Sequence, residues 1–139
     1  MRTLFLEKDS DSIIIKVMSF GYKYGVSTES DLVFDVRCLP NPFYIPELKN
    51  HTGLDLCVQD YVMKHEESQK LFEKLCDLID FLIPLYVHEG KSQLVIAFGC
   101  TGGKHRSITF AELMTKHLVD GGYKVQKYHR DVTKDKKFV

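Results

Sequence analysis

Leu94-Val95-Ile96-Ala97-Phe98 runs directly into Gly99-Cys100-Thr101-Gly102-Gly103-Lys104-His105-Arg106-Ser107. Five consecutive apolar residues ending in glycines read as a strand buried on both faces, the habit of parallel sheets. From Ser107 to Val119 the spacing of Ile108, Ala111, Met114 and Leu118 is helical, and Gly121-Gly122 stop the run. A strand, a glycine turn and a helix in that order begin a helical crossover, and such crossovers join parallel strands.

The same pattern extends in both directions. Ser12–Phe20 is rich in Ile and Val and closes on Gly21 and Gly25, which predicts a strand entering a turn. Asp31–Leu39 predicts a second strand, ended by Pro40-Asn41-Pro42, with Leu32, Phe34, Val36 and Cys38 on one face and Val33, Asp35 and Arg37 on the other. Between Leu54 and Tyr86 the period becomes helical, through a stripe of Leu71, Leu75, Leu78, Leu82 and Leu85, and Pro84 is expected to kink or end the helix. Tyr123–Tyr128 supplies a last strand. The sum is an α/β fold, a mostly parallel sheet of about four strands flanked by helices. Only about ten residues join the first two strands, too few for a helical crossover, so those two are either non-adjacent or antiparallel.

The 139 residues fit one domain, residues 1–139, and 44% hydrophobic residues with 12% aromatics exclude global disorder. Nineteen basic residues balance nineteen acidic ones, so any nucleic-acid partner must be met by a local patch rather than by the overall field. The opening MRTLFLEKDSDS is not expected to act as a secretory signal, and the apolar runs are too short to cross a bilayer, so no membrane partner is expected. Cys38, Cys57, Cys76 and Cys100 form no C-x-x-C pair. Free thiols, no metal site, no cofactor and a cytoplasmic location are the corresponding expectations. His51, His65, His88 and His117 show no ligand spacing and read as surface or capping residues.

The chemistry concentrates in Gly99–Ser107. Glycines allow a tight turn that directs successive amide N–H groups into a concavity, and the helix that follows adds the positive end of its dipole. Lys104, His105 and Arg106 add side-chain donors, and a guanidinium can grip an oxyanion with two parallel hydrogen bonds. All of this favours a phosphate group. A Walker A loop is excluded: one residue is missing between Gly99 and Gly103, and His105 follows the lysine where a hydroxyl ligand to magnesium should stand. Cys100, five residues, Arg106 and Ser107 do match the spacing of cysteine-dependent phosphatases, in which a thiolate attacks phosphorus. That alternative lacks the usual histidine, replaced by Gly99, and lacks a placed proton donor. Binding rather than turnover is therefore the leading reading, and Cys100 stands open between a nucleophile and an inert thiol.

Ligands of open α/β sheets bind beyond the carboxyl ends of the strands. If the strand ends share one edge, Lys23, Arg37 and Asn41 converge on Cys100, Thr101, Gly102, Gly103, Lys104, His105, Arg106 and Ser107, with Asp35 available to a sugar hydroxyl or an amine. A phosphorylated sugar fits this set better than phosphate alone. The end of the chain offers a second feature: Lys124, Lys127, Arg130, Lys134, Lys136 and Lys137 stand against Asp131 and Asp135, a local charge of +4. Such a basic end can contact a nucleic-acid backbone.

Four blocks in order, Ser19–Gly25, Phe34–Pro42, Leu48–Asp55 and Gly99–Ser107, resemble the C-terminal domain of the RapZ/YvcJ family of RNase adapter proteins over about residues 12 to 130. The resemblance implies a phosphofructokinase-like α/β domain that senses glucosamine-6-phosphate, binds small regulatory RNA and hands it to a ribonuclease, and that forms homo-oligomers. It carries the ligand pocket onto Cys100, Thr101, Gly102, His105 and Arg106, with Lys23 and Asn41. One departure is Phe43, where some RNA-binding members place His after the Asn-Pro pair. Full-length members also carry an N-terminal Walker-type domain. The present chain reads as the C-terminal domain alone, so ATPase or GTPase activity is not expected of it.

Overall fold

Ile13, Ile15 and Val17 are fully buried on one side of the first strand, and Met18 and Phe20 on the other. In the computed structural model, which describes residues 13–134, this is the signature of a central strand. β1 (Ile14–Gly21) lies between β3 (Gln93–Cys100) and β4 (Lys124–His129), and the short β2 (Leu32–Asp35) pairs with the far side of β3. The order is β2-β3-β1-β4, and all three pairings are parallel. The register sets Gly21 beside Cys100, Ser19 beside His129 and Asp35 beside Gly99. All four carboxyl ends therefore share one edge.

The open question of the first connection resolves as non-adjacent and parallel, with β3 between β1 and β2. The link contains one turn of 3₁₀ helix, Tyr22–Tyr24, and crosses the sheet without a helical crossover. Ser27 and Ser30 hydroxyls reach Met18 Sδ at 3.6 Å from this link. They lie over the smaller apolar cluster of Met18, Phe20, Val95 and Ala97.

The larger core occupies the opposite face. α1 (Leu56–Met63), α2 (Glu66–His88) and α3 (Arg106–Asp120) bury Val58, Val62, Leu75, Ile79, Ile83, Phe110, Met114 and Leu118 against Ile15, Val17, Leu94, Ile96 and Phe98. Burying each of the larger side chains contributes about 1.5–3 kcal/mol. Rings cross the layers in contact: Phe34 meets Phe98 at 5.8 Å, Phe98 meets Phe110 at 6.1 Å, and Phe110 meets Phe72 edge-on at 5.7 Å.

Three local expectations are corrected. The strand expected to reach Leu39 ends at Asp35, because the chain turns and Leu39 N–H donates to the Val36 carbonyl at 3.3 Å. Cys38 consequently points out and Leu39 in. The single helix expected over Leu54–Tyr86 is two, and Pro84 does not end the second, which continues to His88. Pro84 lies on the solvent side, where water can serve the carbonyl its missing N–H leaves free. The buried stripe of α2 is also rotated from the leucines: Leu75, Cys76, Ile79 and Ile83 face the core, while Leu78, Phe81 and Leu85 are exposed. Both faces are apolar, so periodicity alone fits either. No helix among the described residues is long and apolar enough to cross a membrane.

Candidate functional site

The carboxyl edge of the sheet opens into a pocket of about 1040 Å³. Its inner wall is Cys100, Thr101, Gly102, Lys104, His105 and Arg106; Lys23 and Asn41 stand beside it, and Phe43, Tyr44 and Lys49–Thr52 form the outer wall.

The loop owes its shape to close backbone contacts. Gly103 has φ +77°, and a Cβ there would fall 2.6 Å from the Gly21 nitrogen. A Cβ on Gly21 would in turn fall 2.5 Å from the Gly102 carbonyl carbon. Only glycines permit β1 and the loop to approach so closely. Gly99 is equally constrained, since its Cβ would meet the Phe20 and Tyr22 rings at 2.5 and 2.6 Å; a histidine before Cys100 has no room. Among the described residues, the amides of Thr101, Gly102 and Gly103 donate to no protein acceptor.

Arg106 begins α3 and is buried, yet only part of its guanidinium is committed. Nη1 donates to the carbonyls of Arg37 at 2.7 Å and Leu39 at 2.9 Å. Nη2 has only a long 3.4 Å contact to Thr101 Oγ1, and Nε has no partner. The Nε–Nη2 edge is the fork with which arginine takes an oxyanion side-on. His105 is also buried, with Nε2 unpartnered. Burial pulls its pKa below the usual imidazole value, the Arg106 charge adds to that, and the nearby carbonyls of His51, Lys49 and Leu48 oppose it. Arg106 Nε is a buried donor without a protein acceptor, and His105 Nε2 is a second buried polar atom without a partner, so the pocket wall holds an unmet demand for hydrogen-bond partners.

The other residues marked in the sequence divide into two groups. Lys23 and Asn41 line the pocket; Lys23 N–H donates to the Thr101 carbonyl at 3.1 Å, and the Asn41 side chain accepts Phe43 N–H at 3.1 Å. Lys104 lines it too, but its ammonium donates to the carbonyls of Val132 and Lys134. Asp35 and Arg37 are not in the wall. They pair with each other, Nη2 to Oδ2 at 2.7 Å, and the guanidinium stacks 3.8 Å from the Tyr22 ring centroid. That pairing holds the Asp35 carboxyl below the ordinary range. Gly103 lies behind the wall, and Ser107 is buried, accepting the Cys100 thiol at 3.2 Å.

At the basic end, Lys127 pairs with Glu112 at 2.9 Å, and Arg130 and Lys134 pair with Asp131 at 2.8 and 2.7 Å. Lys124 opens the edge strand β4, while Lys136 and Lys137 lie outside the described residues.

Sequence reasoning missed the outer wall. Lys49–Thr52 lie in the Leu48–Asp55 family block and Phe43 marks a departure from the family pattern, but neither was assigned to the site, and His51, read as a surface or capping residue, lines the pocket while pairing with Asp55 at 3.2 Å. A signal was present in Gly53. A Cβ there would lie 2.5 Å from Thr109 N, and its N–H donates to the Lys104 carbonyl at 2.7 Å, so the loop before α1 folds directly onto the anion loop.

A parallel α/β sheet with a cationic, glycine-lined pocket beyond its strand ends defines the class of the molecule. The profile of the RapZ C-terminal domain family matches residues 13–133, and the chain belongs to that family. It is 55% identical over 123 residues to "Nucleotide-binding protein" of Clostridium kluyveri, covering 88% of this chain and 42% of that protein. A protein of the same name from Caldicellulosiruptor bescii is 54% identical over 129 residues, covering 93% of this chain and 44% of that protein. The chain thus spans somewhat under half the length of these curated relatives.

Proposed function

We propose that this protein is a cytoplasmic, non-catalytic sensor domain whose pocket binds a phosphorylated sugar of the glucosamine-6-phosphate kind. The observation that carries the reading is the Nε–Nη2 edge of Arg106, buried beside the uncommitted amides of Thr101 and Gly102 and the unpartnered His105 Nε2. A phosphate monoester supplies acceptors for all of them, and the long pocket leaves room for its sugar. In this reading Lys23 and Asn41 face the sugar, and Asp35 and Arg37 act from behind as a fixed pair.

The basic end is assigned to small regulatory RNA, delivered to a ribonuclease, with the chain working as a homo-oligomer. Family membership supports this assignment, and so does the Lys104 ammonium, which joins the anion loop to the C-terminal turn. The relatives' name refers to whole proteins more than twice this length, so an ATPase or GTPase activity is not carried over. Calorimetric titration tests the metabolite assignment: glucosamine-6-phosphate should bind more tightly than inorganic phosphate or glucosamine. Arg106→Lys, which keeps a charge but loses the fork, should weaken it at least tenfold without lowering the melting temperature by more than a few degrees. Equal affinity in the two proteins would remove the proposed role of the fork.

A further inference from the structure

A volume of about 1040 Å³ exceeds what a monosaccharide phosphate needs and reaches the upper end of ordinary small-molecule sites. Phe43 and Tyr44 line the pocket and remain 48% and 78% exposed. Their rings meet edge-to-face with centroids 5.8 Å apart at 82°. The turn that carries them is firmly held. Pro42 is buried, Asn41 caps Phe43, and the N–H groups of Tyr44 and Ile45 return to the carbonyls of Asn41 and Pro42 at 3.3 and 2.9 Å. Arg106, through the Leu39 carbonyl, ties the approach to this turn to the anion loop. Two large rings are therefore held toward water by a rigid turn, in the same cavity as the oxyanion donors.

A flat ring is the guest such a surface accepts, since stacking on aromatic side chains needs only a π-face. Lys49 Nζ covers one face of Phe43 from 5.0 Å and Phe43 stands perpendicular to Tyr44, so the open π-face is that of Tyr44, with Asn50 and Thr52 placing amide and hydroxyl groups at the same wall. We propose that the pocket takes its ligand at two points, a phosphate on the Thr101–Arg106 loop and a heteroaromatic base on the Phe43–Tyr44 shelf. This adds to the phosphosugar a second ligand class for the same cradle, a nucleoside monophosphate unit, either free or at the 5′ end of an RNA strand. This assignment rests on the reading of the loop as an oxyanion cradle and extends it to the outer wall.

The test is calorimetry with AMP, UMP, ribose 5-phosphate and inorganic phosphate on the wild type, Phe43→Ala, Tyr44→Ala and Arg106→Lys. The nucleotides should bind more tightly than ribose 5-phosphate. Tyr44→Ala should erase about five- to 150-fold of that preference and Phe43→Ala, which removes the ring that holds Tyr44 edge-to-face, a smaller share, while ribose 5-phosphate affinity stays unchanged and Arg106→Lys weakens every phosphorylated compound. Nucleotides that bind no better than ribose 5-phosphate, or aromatic variants that weaken both alike, overturn the shelf and leave the phosphate cradle standing. Failure of every phosphorylated compound to bind, glucosamine-6-phosphate included, overturns both. A tetranucleotide with a 5′-phosphate separates the sources: tighter binding than the mononucleotide supports an RNA end, and weaker binding supports the free nucleotide.

Discussion

The Asp131 carboxylate accepts the backbone N–H of Gly21 at 2.7 Å, joining positions 110 residues apart. Asp131 is fully buried, and Arg130 and Lys134 also close on it. Gly21 in turn abuts Gly102 and Gly103, so a charge near the end of the chain braces the first strand against the anion loop. In the sequence Asp131 looks like an acid diluting a basic tail. In the structure it is the anchor of that tail.

Asp131→Ala should lower stability by about 3 kcal/mol at pH 7, because it strips the acceptor from two cations and an amide at a buried site. Burial alone would push the Asp131 carboxyl up, but Arg130, the Gly21 N–H and Lys134 outweigh it and hold the pKa below the ordinary value. A lowered carboxyl stabilises the fold above the unfolded pKa of about 3.9 and loses that contribution as pH falls through the folded value. Urea melts of wild type and Asp131→Asn should therefore differ most near neutrality and converge toward pH 2. A constant difference would show that the charge plays no part.

Gly103→Ala and Gly102→Ala should behave differently although the positions are adjacent. At Gly103 a methyl meets backbone at 2.6 Å and the φ is left-handed, whereas nothing lies within 4 Å of a Cβ on Gly102. The first is expected to cost at least about 2 kcal/mol and the second no more than about 0.5 kcal/mol. Thermal melts would check the pair, and equal losses would mean the loop is not wedged against β1.

His105 should make ligand binding depend on protons. Its lowered pKa keeps it neutral in the empty pocket, so the unliganded fold loses stability as pH drops below about 6.5. An oxyanion beside it favours the imidazolium and restores the charge. Calorimetry in two buffers of different ionisation enthalpy should register proton uptake on binding near pH 6.5, diminished in His105→Gln. Identical uptake in both proteins would place the anion elsewhere.

Cys100→Ser should retain phosphosugar binding within about threefold, since the buried thiol donates inward to Ser107 and can be replaced by a hydroxyl doing the same. Neither wild type nor variant should release phosphate from an aryl phosphate between pH 5 and 8. Turnover that disappears in Cys100→Ser would instead establish the cysteine-phosphatase alternative.

RNA association should be salt-dependent and should weaken when basic residues of the C-terminal end are neutralised. Replacing Lys124, Lys136 and Lys137 by Gln is expected to flatten the dependence of log K on log salt by about 0.7–0.9 for each phosphate no longer neutralised. It leaves untouched Lys127, Arg130 and Lys134, which hold Glu112 and Asp131. Absence of any gel shift at low salt would discard the RNA role.

The parallel α/β class and the loop were readable because each rests on local pattern: an apolar run, a glycine cluster, a helical period. The limits of β2, the break between α1 and α2 and the choice of buried stripe were not. Each depends on what packs opposite: Leu39 enters the core by a turn, and α2 carries apolar residues on two faces. The outer wall escaped notice for a related reason. Phe43, Tyr44 and Lys49–Thr52 reach the pocket only because Gly53 seats their loop against the start of α3, a contact between distant segments.

A crystal of this protein soaked with glucosamine-6-phosphate tests the account most directly. Phosphate density is expected in contact with the amides of Thr101 and Gly102, the Nε–Nη2 edge of Arg106 and His105 Nε2, with the sugar directed toward Lys23 and Asn41. Density seated instead on Lys124, Lys127 or Lys134, with the Gly102–Arg106 segment empty at saturating ligand, would contradict it.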